Sequence, residues 1–436
     1  MDSDNYLGLI HRIPFSSPIT FSKGFQISFD FYLSQEFQEE QPTQWKAVET
    51  LVTKCSQLLP SYVQFPRKGL TWTQYADNCI SDLMKENFCW IDPKFPKYFA
   101  YVMDEAEEIR RKAIGRKNIF ETMTLLSVLP PWILYLQINP VETQEEHVIA
   151  TCRTLEYFID PSSKFLYNNI RYNPKDNHQI IKPTKLSIGD SWYFFEPILR
   201  FGWLIQILPM ISDDETYHQT FKIMVDKSIE FIRKHKYEIT AFYDPFNFKP
   251  LKEALMENSS RKEELMKIWG HQDIIWKQKA KNYACLGIYI YIMVEAFYLY
   301  ETTKYLEEAK FAAKKLFHFS PDQLFWEPFE LAYGVAGLAE LGRITGNSEF
   351  LFQAKNLLLD ELRMFYWYND NSFGWKNKRN NLGLPMACIG IRYPAMKENV
   401  ESIYPWLIFI KTALLNGDFQ LIPKIILKFL NLIRIN

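Results

Sequence analysis

The sequence predicts an all-α protein made of helical hairpins, preceded by a short extended arm, and three observations predict it. From about residue 44 onward apolar residues recur with helical spacing over long stretches. Nearly apolar segments such as Leu331 to Leu341 alternate with amphipathic ones such as Lys304 to Lys315, the asymmetry expected of an inner and an outer helix layer. Short motifs also recur at both ends of these helix pairs, and such self-similarity marks a repeat architecture.

Taken in order, the first 40 residues stand apart. Ile19-Thr20-Phe21 and Phe25 to Phe31 alternate apolar and polar residues as a strand does. Residues 1–40 are therefore expected to form an extended arm, and 41–436 a single helical domain, since no Gly/Ser/Pro-rich linker divides them. Helices are expected over 43–59, 71–87, 97–115, 118–138, 142–158, 192–209, 213–235, 249–268, 276–302, 304–318, 327–345, 347–365, 398–416 and 418–434.

The repeats fix how these helices pair. Glu301-Thr-Thr-Lys-Tyr-Leu-Glu-Glu-Ala-Lys310 matches Thr345-Gly-Asn-Ser-Glu-Phe-Leu-Phe-Gln-Ala-Lys355, with weaker relatives at Ser212 to Tyr217 and Asn416 to Phe419. Each is a polar turn with a capping residue, placed where an apolar helix ends and an amphipathic one returns. At the other end, Tyr193-Phe-Phe-Glu-Pro-Ile-Leu-Arg-Phe-Gly202 matches Leu324-Phe-Trp-Glu-Pro-Phe-Glu-Leu-Ala-Tyr-Gly334. Pro suits a first helical turn and Glu complements the positive helix end, so both motifs are expected to open inner helices. If the inner helices run parallel round a ring, these starts gather at one mouth.

Composition narrows the function. Aromatic residues make up 16% of the chain, enough to fill a core and still line a cavity. A formal net charge of −1 and the lack of a basic stripe argue against nucleic acid as a partner. The N-terminal MDSDNYLGLIHRIPF has neither the basic start nor the apolar core of a secretory leader, so a cytoplasmic protein is expected. The most membrane-like stretch, Tyr283 to Tyr300, is rich in Tyr and broken by Glu295, which suits a buried central helix better than a membrane span. The six cysteines form no CxxC pair, so reduced thiols are expected rather than zinc ligands. With no HxxxH, HExxH, Walker A or GxGxxG pattern, neither a metal nor a cofactor is expected.

The turn TGNSEFLFQAKNLLLDEL and the long alternation of inner and outer helices resemble the (α/α)6-toroid proteins, in particular the six-hairpin glycosidase-like group. That group includes unsaturated-glucuronyl hydrolases, sugar epimerases of the N-acylglucosamine 2-epimerase type and related polysaccharide lyases. The resemblance spans about residues 190–435 and implies an (α/α)6 toroid. It concerns architecture, and no catalytic residue is carried over from it. Tetratricopeptide solenoids share the hairpins, but their Trp/Leu-Gly/Tyr spacing is missing here.

Candidate site residues follow from the expected mouth. Glu196 and Glu327 are two carboxylates among aromatic rings, the arrangement glycosidic acid–base chemistry uses; helix-start electrostatics is the competing explanation. Asp190 is a third acid–base candidate or an N-cap, with Trp192 and Tyr193 beside it as sugar platforms. Glu330 lies on the same helix face as Glu327, with Tyr333 one turn further on. His271 could shuttle a proton, and Trp276, Trp326 and Trp375 complete the candidate substrate surface. Trp375 lies in a long, weakly patterned segment from Tyr366 to Tyr393, of the kind that forms lids. The acidic runs Asp104 to Glu108 and Asp213-Asp214-Glu215 do not complete a DDxxD metal motif, because residue 217 is Tyr. The reading favoured is a carbohydrate-active enzyme, a glycoside hydrolase, lyase or sugar epimerase, acting on a small sugar or oligosaccharide. The alternatives are a terpenoid cyclase with an aromatic cavity, where rings would stabilise carbocations, and a non-catalytic helical-repeat binding protein.

Overall fold

The computed structural model describes residues 43–62, 70–83, 119–161, 164–167, 169–173, 179–181, 189–208, 215–239, 242–243, 281–324, 327–367, 382–385 and 396–435. The expected arm and the expected helices over 97–115 and 249–268 lie outside them. Helices α1 (Gln44–Tyr62) and α2 (Trp72–Leu83) come first. Among the described residues five hairpins follow in chain order: α3 (Thr122–Ile138) with α4 (Glu142–Phe158), α5 (Ser191–Ile207) with α6 (Glu215–Lys234), α7 (Cys285–Tyr300) with α8 (Thr303–Leu316), α9 (Pro328–Thr345) with α10 (Ser348–Leu362), and α11 (Met396–Leu415) with α12 (Lys424–Ile435). The first members pack side by side in the order α3, α5, α7, α9, α11, and each carries its partner on its outer side.

The two layers differ as their sequences do. α7 is buried continuously from Cys285 to Ala296 because it is surrounded. α8 buries only Tyr305, Glu308, Ala309, Ala312, Ala313 and Leu316, the spacing of one helix face, and turns its lysines to solvent. The turns between the layers share one backbone device. Glu301, Gly346 and Gly417 each take a left-handed conformation, with φ of 49°, 65° and 77°, where an inner helix ends. Thr302 and Asn347 follow as extended N-caps, and the Asn347 side chain accepts from the Glu349 amide at 3.0 Å.

The structure departs from expectation in four places. Extended segments occur between hairpins: β1 (Ile119–Glu121), β2 (Asn169–Asn173) and β3 (Gln179–Ile181) form an antiparallel sheet, and β4 (Gly189–Asp190) pairs with β5 (Phe242–Tyr243). β1 takes the first residues of the helix expected from 118, since Phe120 pairs with the buried Ile170. Of the helix expected over 276–302, residues 281–284 are not helical and α7 starts at Cys285, because Asn282 donates its backbone N–H to the Ile239 carbonyl at 2.9 Å and holds the chain out of the helix. The helix expected from 418 becomes a 3-10 turn at Phe419–Leu421 and then α12, with Pro423 at the break. The two Glu-Pro motifs are also not equivalent. Glu327 is an extended N-cap with Pro328 in the first turn of α9, whereas Glu196-Pro197 lies inside α5, which already begins at Ser191.

Small residues let the inner layer close up. A Cβ on Gly287 of α7 would sit 2.8 Å from the Glu330 carbonyl oxygen and 2.8 Å from Gly334 Cα of α9, and one on Gly337 would sit 2.9 Å from the Tyr291 amide nitrogen. The α7 and α9 backbones therefore touch where Gly faces Gly. Between α10 and α11 the contact is polar: the Trp406 indole N–H donates to Glu361 at 2.8 Å, and both residues are fully buried. Burial pushes the Glu361 carboxyl up to about 8. No helix among the described residues is long and apolar enough to cross a membrane.

Two outcomes are expected. Gly287→Ala should destabilise the fold by about 1–3 kcal/mol through overpacking, read by chemical denaturation; an unchanged midpoint would contradict the close helix approach. Glu361 keeps its proton in the folded protein up to about pH 8, while the unfolded chain releases it near 4.5. The native state then binds more protons across that window, so stability falls as pH rises through it. Glu361→Gln should make that decline shallower and raise Tm at pH 8 relative to wild type; an identical slope would show that Glu361 is ionised throughout.

Candidate active site

The inner helices meet at a buried charge. On α5, Glu196, Arg200 and Trp203 fall one turn apart and share a face. The Arg200 Nε donates to Glu196 Oε1 at 2.7 Å, and its Nη2 bonds the same oxygen. Nη2 also donates to Tyr333 Oη of α9 at 2.9 Å and to Glu401 Oε1 of α11 at 2.9 Å. Tyr333 in turn donates to Glu196 Oε1 at 3.3 Å. Arg200, Glu196 and Glu401 have side-chain exposures of only 7%, 0% and 6%, so this is an interior ion pair bridging three helices. Burial alone would favour a neutral guanidine, but Glu196, Tyr333 and Glu401 outweigh it and hold Arg200 firmly ionised. Burial raises the Tyr333 phenol well above its ordinary range, against the pull of Arg200.

An aromatic group adjoins this centre. Trp203 packs edge-on against Tyr404 of α11 at 4.9 Å, against Tyr333 at 5.8 Å and against Tyr291 of α7 at 5.9 Å. Tyr404 is 51% exposed, so this side of the cluster reaches solvent. Tyr404 follows Glu401 by three residues and Trp203 follows Arg200 by three, which sets a ring beside each charged group.

A second polar cluster occupies the starts of the inner helices. Asn282 Nδ2 donates to Glu330 Oε1 at 2.7 Å and to Ser191 Oγ at 3.1 Å. The Cys285 thiol donates to the same Glu330 oxygen at 2.8 Å. All four side chains are fully buried. The Trp192 and Phe329 rings lie 4.9 Å apart at this end. Towards the helix ends, Gln206 donates to Glu295, whose carboxyl burial pushes up to about 7. Polar groups thus run along the inner helices from one end to the other.

The structure brings several candidates together. Glu196 and Tyr333 share Arg200; Glu330 joins Ser191, Asn282 and Cys285; Glu327, only 8% exposed, caps α9. Trp192 sits at the start of α5, and Asp190 precedes that helix in β4, opposite Phe242. Tyr193 lies in the first turn of α5. His271, Trp276, Trp326 and Trp375 lie outside the described residues. Sequence reasoning missed Arg200, Trp203, Glu401 and Tyr404. The signal for Arg200 was present: it is the lone basic residue in the apolar helix SWYFFEPILRFGWLIQI, four positions after a Glu. Glu401 had no comparable signal, because α11 opens with Lys397, Glu398 and Glu401, which reads as an ordinary solvated turn. Among the described residues no three His, Cys, Asp or Glu side chains gather as a metal site, and Cys55, Cys79, Cys152 and Cys285 form no disulfide.

No protein-family model matches the chain. No curated protein matches it in sequence. Among solved structures it is similar to a crystal structure of D-mannose isomerase, with 11% identity, a TM-score of 0.51, and coverage of 85% of this chain and 87% of that one. At that identity the likeness is one of fold. Together with the layered hairpins it shows an all-α helical toroid.

Proposed function

We propose that the chain is a sugar-active enzyme of the isomerase or epimerase type, working by proton transfer at a carbon next to a carbonyl. The observation that carries this reading is the buried Arg200–Glu196–Glu401–Tyr333 network beside the Trp203–Tyr404 rings. A guanidinium and a carboxylate held on one another, flanked by an accessible ring, suit a polyhydroxylated ligand better than a hydrocarbon. A buried Arg–Glu pair would be a poor lining for an isoprenoid. The fold likeness to D-mannose isomerase supports the same direction.

In this reading Arg200 binds the sugar carbonyl oxygen and stabilises the enediolate that forms when a neighbouring proton leaves. Glu401, 2.9 Å from the guanidinium, is the acid–base group. For an aldose, the proton on C2 passes to Glu401 and returns to C1, while the O2 hydroxyl proton passes to O1. The product is the ketose, and no redox partner is needed. Glu196 is a positioning residue, because it fixes Nε and Nη2 of Arg200. Glu327 and Glu330, at the start of α9, are the second carboxylate candidates for a reaction that needs two faces of one carbon, and Asp190 is a third, next in sequence to the Ser191 that shares Asn282 with Glu330. Trp192 and Trp203 supply stacking surface.

The test is solvent exchange. Incubating the full chain in D2O with D-mannose, D-glucose and D-fructose should place deuterium at C1 or C2, read by NMR. Glu401→Gln should slow that exchange by roughly 100-fold or more, the scale of a lost general base, with the helical circular dichroism kept. Exchange at the wild-type rate in Glu401→Gln, or none with any of the three sugars in the wild type, would overturn the proposal.

A further inference from the structure

The charge state of the Arg200 centre bears on which sugars it accepts. A lone buried guanidinium would recruit an anionic ligand, because it offers a paired fork to a carboxylate or phosphate. Arg200 is not in that condition. Its Nε and Nη2 are already taken by Glu196 and Glu401, so its single positive charge meets two carboxylates. Among the described residues Arg200 is the one buried basic side chain, whereas the inner layer buries Glu196, Glu295, Glu327 and Glu330. An incoming carboxylate or phosphate would add a third anion at a desolvated site, which disfavours the charged ligand.

What the centre still offers is neutral hydrogen bonding. None of the bonds made by Arg200 uses Nη1, which meets no acceptor among the described residues. Glu196 Oε2 is buried and meets no hydrogen-bond partner among the described residues. A buried acceptor without a partner calls for one, and Nη1, with no acceptor of its own, is a donor left open beside it. A hydroxyl or carbonyl oxygen satisfies Nη1 without adding charge. The rings of Trp203 and the half-exposed Tyr404 present faces on which the C–H side of a sugar can lie.

Resting on the reading of the chain as a sugar-active enzyme, we infer that the Arg200 site is selective for uncharged sugars and polyols, and discriminates against uronic acids and sugar phosphates through the Glu196–Arg200–Glu401 clamp. Trp203 lies within this group and provides a fluorescence readout. The full chain would be titrated at constant ionic strength with D-mannose, D-mannitol, D-glucuronate and D-mannose 6-phosphate, following tryptophan emission and Tm. Neutral ligands are expected to bind at least about tenfold more tightly than the two anions. In Glu401→Gln, which removes one carboxylate charge, the ratio of anion to neutral affinity should rise by roughly tenfold. Anions that bind the wild type as tightly as the neutral ligands, or more tightly, would overturn this inference while leaving a sugar site in place. Failure of all four ligands to bind would overturn the sugar-active reading itself and this inference with it. The wild-type titration decides between these outcomes even if Glu401→Gln does not fold.

Discussion

A guanidinium cannot be left alone inside a protein, and most of what is specific about this molecule answers that constraint. Arg200 sits on α5 with almost no exposure, and no partner on its own helix except Glu196 can reach it. Its Nη2 also donates to Tyr333 from α9 and to Glu401 from α11. Three inner helices that are far apart in sequence must therefore arrive together and in register. Removing one member of such a pair strands the other as a buried charge, at a cost of about 3–5 kcal/mol. A well-packed apolar trio often holds helices as well as a buried ion pair does, and the proposed binding role is what would set a charged centre apart here.

The rest of the architecture makes that convergence possible. Left-handed residues at Glu301, Gly346 and Gly417 end the inner helices cleanly, and the chain returns as an amphipathic outer helix that seals each inner one from water. Gly287, Gly334 and Gly337 let α7 and α9 approach until their backbones touch, which draws Glu330 against Asn282 and Cys285 at one level and Tyr333 against Arg200 at the next. Close packing at the glycines and polar contact at the carboxylates are consequences of one short interhelix distance. The outer seams have polar ties of their own: Glu308 accepts from Tyr237 at 2.5 Å and from Tyr289 at 2.8 Å.

Much of the fold was legible in the sequence because it is encoded locally. Helical periodicity marked both layers, and the turn shared by Glu301 and Gly346 reports a real backbone repeat. The Glu-Pro similarity was legible too, but it misled. The same dipeptide caps α9 at Glu327 and lies within α5 at Glu196, since the chain before Ser191 is held by pairing with β5 and the helix starts early. The site was less legible for a related reason. Glu196 and Tyr333 could be picked out from their neighbours, whereas Glu401 matters through a guanidinium 201 positions away in the chain. Asn282 and Cys285 likewise gain meaning only from the Glu330 that packs on them. Local pattern reports which residues are buried; it does not report which buried residues meet.

In the proposed function the Arg200 centre faces a ligand and is more than a structural clamp. The most direct test is a crystal structure of the protein soaked with D-mannitol, a neutral polyol that cannot turn over by carbonyl chemistry. A hydroxyl oxygen is expected within hydrogen-bond distance of Arg200 Nη1, with the polyol chain along Trp203 and Tyr404 and the Glu196 and Glu401 contacts to the guanidinium intact. Well-ordered polyol bound only elsewhere on the molecule, with Nη1 contacted by protein atoms alone, would contradict that role and leave the ion pair a structural feature of the toroid.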